Sequence, residues 1–157
     1  MSRGRKKYVP KRFESKGEKF IDENGKLRAD TSANIYESLL LSDSFRDLSD
    51  RQKMLYIVAK AQYYGHRKPE KDYPEIELFQ GADVFYLNWN AVKRYGLYKD
   101  SMHSNFYKDM SALIEHGFIQ RLSSGKGNRK KSIYKFSADW QSWKPEKVNC
   151  ACGSTTT

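Results

Sequence analysis

Two glycines, Gly96 and Gly117, constrain this chain more than any other residues. Each sits where a run of helical periodicity stops, and each is followed by an apolar residue. A glycine just past a helix adopts the left-handed conformation at little steric cost, and the apolar residue after it folds back on the last turn. Leu97 is thereby placed to meet Val92, and Phe118 to meet Leu113. Asn88 is an expected N-cap for the first helix, which runs to Tyr95. A turn from Gly96 to Lys99 leads to Asp100, the expected N-cap of a longer helix ending at His116. Two helices joined by a short glycine-containing turn follow from local chemistry at both ends.

The flanking segments extend the pattern. Ser49-Asp50-Arg51-Gln52 is a capping box, and Met54, Leu55, Val58, Ala59, Ala61 and Gln62 follow at helical spacing, with Gly65 as the stop. Ile35, Tyr36, Leu39, Leu40, Leu41 and Phe45 mark a lead-in of ambiguous secondary structure. Residues 66–81 read as a polar loop, and Val84–Leu87 as a short strand. After Gly117, the stretches 118–122 and 132–136 read as strands around Ser123–Lys131, a glycine-bearing basic hairpin tip. The predicted fold class is α+β: a winged helix-turn-helix, with a three-helix core and a β-hairpin wing.

Length and charge set the outer limits. A chain of 157 residues suits one domain with tails, and the expected division is a flexible basic arm over 1–31, the domain over 32–143 and a disordered tail over 144–157. The arm holds ten Lys or Arg between Arg3 and Arg28, with little apolar periodicity. No stretch approaches a membrane span, and no apolar core follows the basic N-terminus, so neither membrane insertion nor secretion is expected. The only cysteines, Cys150 and Cys152, lie in the tail, which fits a reduced cytoplasmic setting. A formal net charge of +10 favours polyanionic partners, nucleic acid first among them, and a nucleoid-associated location.

The sequence resembles the winged helix-turn-helix family, and in particular replication-initiator-like and accessory DNA-binding proteins of bacterial plasmids, phages and conjugative elements. The likeness is carried by Asn105-Phe106-Tyr107-Lys108, by Ala112 to Ile119 with its "LIEHGFI" joint, by the basic wing, and by Tyr134-Lys135-Phe136-Ser137 with Trp140 behind it. It spans roughly residues 45 to 143 and leaves out the arm and the tail. The resemblance implies double-stranded DNA as partner, with the second helix of the pair in the major groove, but not whether replication or transcription of a mobile element is served.

Rotation by 100° per residue sends Met102, Phe106, Met110 and Leu113 to one face of that helix. Ser101, Ser104, Lys108 and Ser111 fall opposite, flanked by Asn105 and Tyr107, as candidate base and phosphate contacts. Glu115 on the same face limits contact at the last turn. In the wing, Lys126, Asn128, Arg129, Lys130 and Lys131 are candidate contacts, and between Arg121 and Lys135 no acidic residue occurs. In the arm, Arg3, Arg5, Lys6, Lys7, Lys11 and Arg12 suit a basic arm that orders on DNA. His66, His103 and His116 are read as loop, packing and helix-end residues, and no nucleotide-binding, zinc-protease or serine-hydrolase pattern is present. The chain is therefore read as a non-enzyme without cofactor or metal, because Cys150-x-Cys152 lacks a second ligand pair. A homodimer and contacts with replication or transcription proteins stay open. So do two rival readings, a winged-helix protein-interaction module and an RNA-binding module.

Overall fold

In a computed structural model of the chain, the described residues are 19–30, 32–62, 83–124 and 132–146. The chain divides into two units, Met1–Ser32 and Ala33–Thr157. The first contains strands β1 (Lys19–Ile21) and β2 (Leu27–Ala29), paired antiparallel. Both strands fall within the stretch 1–31 expected as a flexible basic arm. Asp22 organises the connection: its carboxylate accepts from the N–H groups of Asn24 (3.0 Å) and Lys26 (2.9 Å), and pairs with Arg28. Gly25, at φ +74°, closes the turn. The Arg28 guanidinium first, then the Lys26 N–H, hold the Asp22 carboxyl down at about 2.

The second unit begins with two short helices, α1 (Glu37–Leu40) and α2 (Asp43–Asp47), which settle the ambiguous lead-in. Ser42 caps α2 by accepting from the Phe45 N–H. Helix α3 (Asp50–Gln62) starts on the expected capping box: the Gln52 N–H donates to Ser49 Oγ at 3.3 Å, and the Ser49 N–H to Gln52 Oε1 at 3.0 Å. Its buried residues are Leu55, Tyr56, Val58, Ala59 and Gln62. Met54, expected inside, is 46% exposed, because the Tyr56 ring takes the inner arc by packing on Phe118 and Phe136. Burial pushes the Tyr56 phenol up to about 12. Gly65 and the loop 66–81 lie outside the described residues.

Strand β3 (Val84–Tyr86) is followed by α4 (Trp89–Lys93), where Asn88 caps as expected by accepting from the Ala91 N–H at 2.9 Å. The α-helical hydrogen bonding stops at Lys93, two residues before Tyr95, and the chain turns through Gly96 at φ +69°. A 3-10 turn over Asp100–Met102 then runs into α5 (His103–Glu115). Here the expectation for Asp100 needs correction. Lys99 holds the N-cap position, and the Asp100 carboxylate instead meets Lys93 Nζ at 2.7 Å, tying the start of this helix to the end of α4.

Helix α5 ends as expected. The Phe118 N–H bonds to Leu113 O and the Gly117 N–H to Ile114 O, both at 3.0 Å, with Gly117 at φ +78°. Strands β4 (Ile119–Ser123) and β5 (Ile133–Phe136) follow. They pair antiparallel, and β3 adds to the far edge of β5, giving the order β3–β5–β4. The register of β4 slips between Arg121 and Ser123, a bulge that strengthens the local twist at the end where the two strands are joined. The fold is mixed α+β, with five α-helices and two small antiparallel sheets among the described residues.

The core lies between α3, α5 and the three-stranded sheet. Phe106, Met110, Leu113 and Phe118 are wholly buried, together with Leu55 and Val92. Phe85 stacks on Phe136 at 4.4 Å and on Tyr134 at 5.7 Å, which fastens β3 to β5 through side chains as well as backbone. After β5, Ser137 and Trp140 donate backbone N–H groups to Phe118 O and Gly117 O, and Trp140 stacks on Phe118. Lys144, just past the expected boundary at 143, pairs with Asp43 at 2.7 Å. Residues 147–157 lie outside the described residues. Among the described residues, no helix is long and apolar enough to cross a membrane.

Candidate nucleic-acid interface

The outward face of α5 is built by what its inner face must bury. Phe106, Asp109, Met110 and Leu113 are the buried residues of the helix, so positions one half-turn away point from the core. Ser101, Ser104, Lys108 and Ser111 are exposed, as the rotation places them, and Glu115 shares the face. Asn105 is half-buried on one flank, its Oδ1 accepting from Ser104 Oγ at 3.4 Å. Tyr107 stands on the other flank, 43% exposed. Lys108 makes no ion pair among the described residues, so its ammonium is uncommitted. The surface is short, hydroxyl-rich and open, with one lysine and one ring.

Three rings step outward along one side of this face. Trp89, half-buried on α4, meets His103 edge-on at 5.0 Å, and His103 meets Tyr107 edge-on at 5.0 Å. Buried Phe106 also meets Tyr107 at 5.0 Å. Tyr107 is therefore gripped from two sides while part of its ring remains in solvent. The reading of His103 as a packing residue misses that it bridges α4 to the exposed flank.

A residue that sequence reasoning missed sets the pose of α5. Asp109 is 2% exposed, yet its carboxylate receives four hydrogen bonds. Arg51 Nε donates at 2.6 Å and an Arg51 terminal nitrogen at 3.3 Å, while Gln52 Nε2 donates at 3.2 Å and Tyr98 Oη at 2.7 Å. Burial alone raises the Asp109 carboxyl, but the bonds from Arg51, Tyr98 and Gln52 outweigh it and leave it below the usual carboxylate range. Burial first, and the bond to Asp109 second, push the Tyr98 phenol well up. One carboxylate thus joins α3, the inter-helix turn and α5. Its signal was an acidic residue three positions from Phe106 and four from Leu113, on the apolar face.

At the other end, His116 closes the joint between helix and hairpin. Its Nδ1 lies 2.7 Å from Ala112 O, its Nε2 2.8 Å from Asp47 Oδ2, and its ring stacks on Trp143 at 4.5 Å.

The hairpin brings further cations to the same region of sequence. Arg121 lies over the Tyr134 ring at 6.0 Å, and Lys135 faces Asp83 at 3.5 Å. Lys126, Asn128, Arg129, Lys130 and Lys131 lie outside the described residues, on the segment that joins β4 to β5. Arg3, Arg5, Lys6, Lys7, Lys11 and Arg12 also lie outside them. Residues 1–18 carry seven Lys or Arg against two Glu, and residues 125–131 four against none, so nine of the ten net positive charges fall on these two stretches. No grouping of three or more His, Cys, Asp or Glu suited to a metal ion occurs among the described residues. Comparison of the chain with protein-family models, with curated proteins and with solved structures returns no match.

Proposed function

We propose that this chain is a winged helix-turn-helix protein that binds duplex DNA with sequence preference, α5 reading bases in the major groove and the β4–β5 hairpin serving as a basic wing. The observation that carries the proposal is the outward face of α5. Small hydroxyl residues and one uncommitted lysine stand clear of the surface, and Asp109 fixes the helix beneath them. Short polar side chains let a helix approach base edges closely, and a fixed pose keeps each of them in register with one base pair. The element order also supports it: helix, strand, helix, turn, helix and hairpin, with the first strand on the hairpin's second. The four cations of 125–131 suit phosphates beside the groove. On this reading the chain binds rather than catalyses, and serves replication initiation or transcriptional control of a mobile element.

The test is affinity across a range of salt for a mixed-sequence duplex, its separated strands and a structured RNA. Duplex DNA should bind tightest, with log K falling linearly against log salt at about 0.9 per phosphate neutralised. Tighter binding to RNA or to single strands, or an affinity indifferent to salt, overturns the proposal.

A further inference from the structure

Among the described residues of α5, Tyr107 is the single large apolar side chain that is exposed. Nothing in the packing of the fold requires it there. Phe106, Met110 and Leu113 already fill the inner face, and the neighbours on the outer face are Ser104, Lys108 and Ser111. An aromatic ring left in water and braced edge-on by His103 and Phe106 is held ready for a contact, because the bracing removes the rotamer freedom that a contact would otherwise cost. Trp89 behind His103 anchors the brace in α4, so the ring's position is set by both helices of the pair.

The chemistry of the groove narrows what that contact is. Base edges in the major groove present hydrogen-bond donors and acceptors, and one apolar group, the C5-methyl of thymine. Phosphates and sugars call for cations and hydroxyls, which the same face supplies in Lys108 and the serines. A braced ring on the flank of the reading face matches the methyl, and the Tyr107 hydroxyl, which can instead donate to a phosphate or a base edge, is removed separately in Tyr107→Phe. We infer that Tyr107 is a specificity-determining residue that selects thymine at one position of the bound site by covering its methyl group. The inference rests on the proposal that α5 occupies the major groove.

The experiment compares short homopolymer duplexes of dA with dT and of dA with dU, which differ by the methyl at every step. Whichever register and orientation the protein adopts, the flank of α5 then meets the methyl or its absence. Parent protein, Tyr107→Phe and Tyr107→Ala are titrated on both, with circular dichroism confirming that each variant is folded. Covering one methyl is worth about a three- to fourfold change in affinity. The parent and Tyr107→Phe should prefer the thymine duplex by that factor, and Tyr107→Ala should bind both alike. Should the parent bind both duplexes equally, the inference fails while duplex binding stands. Should Tyr107→Ala keep the full preference, the methyl is read by another residue, and the inference fails again. Should the parent bind neither duplex at any salt, major-groove placement of α5 fails and this inference with it.

Discussion

Gly96 and Gly117 are matched in one respect and opposed in another, which makes them a controlled pair. Both have positive φ, +69° and +78°. A Cβ on Gly96 would meet nothing within 4 Å, whereas one on Gly117 would lie 2.6 Å from Trp140 N and 2.7 Å from Asp139 C. In Gly96→Ala the left-handed strain of ~1–2 kcal/mol is partly offset by the reduced entropy of the unfolded chain, ~0.4–1 kcal/mol, which leaves a net cost of about 1 kcal/mol. Gly117→Ala carries the same cost plus a clash with backbone that cannot rotate away. Overpacking of that kind costs ~1–3 kcal/mol. Relief would require moving the Asp139–Trp140 segment, and with it the bond from the Trp140 N–H to Gly117 O, worth about 1 kcal/mol.

The expected loss is therefore about 1 kcal/mol at Gly96 and ~3–5 kcal/mol at Gly117. For a domain of this size, each kcal/mol corresponds to roughly 3–5 °C in Tm. Thermal unfolding followed by circular dichroism should separate the two variants by about 10 °C, and Gly117→Val should fall further still. Equal melting temperatures for the two alanine variants would refute the account of the joint, because strain without the clash would then explain both.

Three further outcomes follow from the same geometry. Replacing Asp109 by Ala should cost ~3–5 kcal/mol, since it leaves Arg51, Gln52 and Tyr98 donors facing a void. Its folded-state carboxyl lies below the unfolded value of about 3.9, so its stabilisation is complete above that pH and fades as pH falls through the lower folded value; urea titrations from neutral pH downward should show a shallower acid limb for Asp109→Asn than for the parent. Joint replacement of Lys126, Arg129, Lys130 and Lys131 by Ala should leave the Tm unchanged and lower affinity for all duplexes together. The salt slope, read by fluorescence anisotropy, should shrink by about one for each phosphate no longer neutralised. Ser104→Ala with Lys108→Ala should change which sequences are selected from a random duplex pool, each base left unread removing ~1–3 kcal/mol of discrimination, whereas deletion of residues 1–12 should weaken all sequences evenly.

What could be read from the sequence was what is decided within a few residues. The capping box at Ser49, the Asn88 cap and the left-handed end at Gly117 each involve partners at most five positions apart. Features set by distant partners stayed hidden. Asp109 finds Arg51 58 positions away, and nothing near Asp109 marks that pairing. Asp100 had the right chemistry for a cap, but Lys93 across the turn offered a full opposite charge, and the carboxylate turned to it. In α3, Met54 and Tyr56 were both available to the inner arc, and Phe118 with Phe136 decided for the tyrosine. The β1–β2 hairpin was masked by the charges around its Asn24-Gly25 turn and by strands only three residues long. The exposed face of α5 was legible because an amphipathic helix with a strongly apolar inner face leaves its outer face no choice.

The placement of charge divides holding from reading. Within the described residues, several cations are engaged with the fold's own acids: Arg28 with Asp22, Arg51 with Asp109, Lys93 with Asp100, Lys144 with Asp43, and Lys135 with Asp83. The net positive charge sits elsewhere, on 1–18 and 125–131. Attraction to a polyanion is long-ranged and indifferent to sequence, and salt weakens it directly. The Arg51–Asp109 pair, by contrast, is close and mostly buried, so salt screens it little. Raising salt should consequently release DNA well before it loosens the core, and the Tm should hold nearly constant over a range in which affinity falls steeply. A chain arranged this way can be drawn to any duplex by its two basic stretches. On the proposed reading, the face of α5 that meets the bases carries a single cation, Lys108, so base contacts are weighed with little competition from phosphate attraction at the same spot.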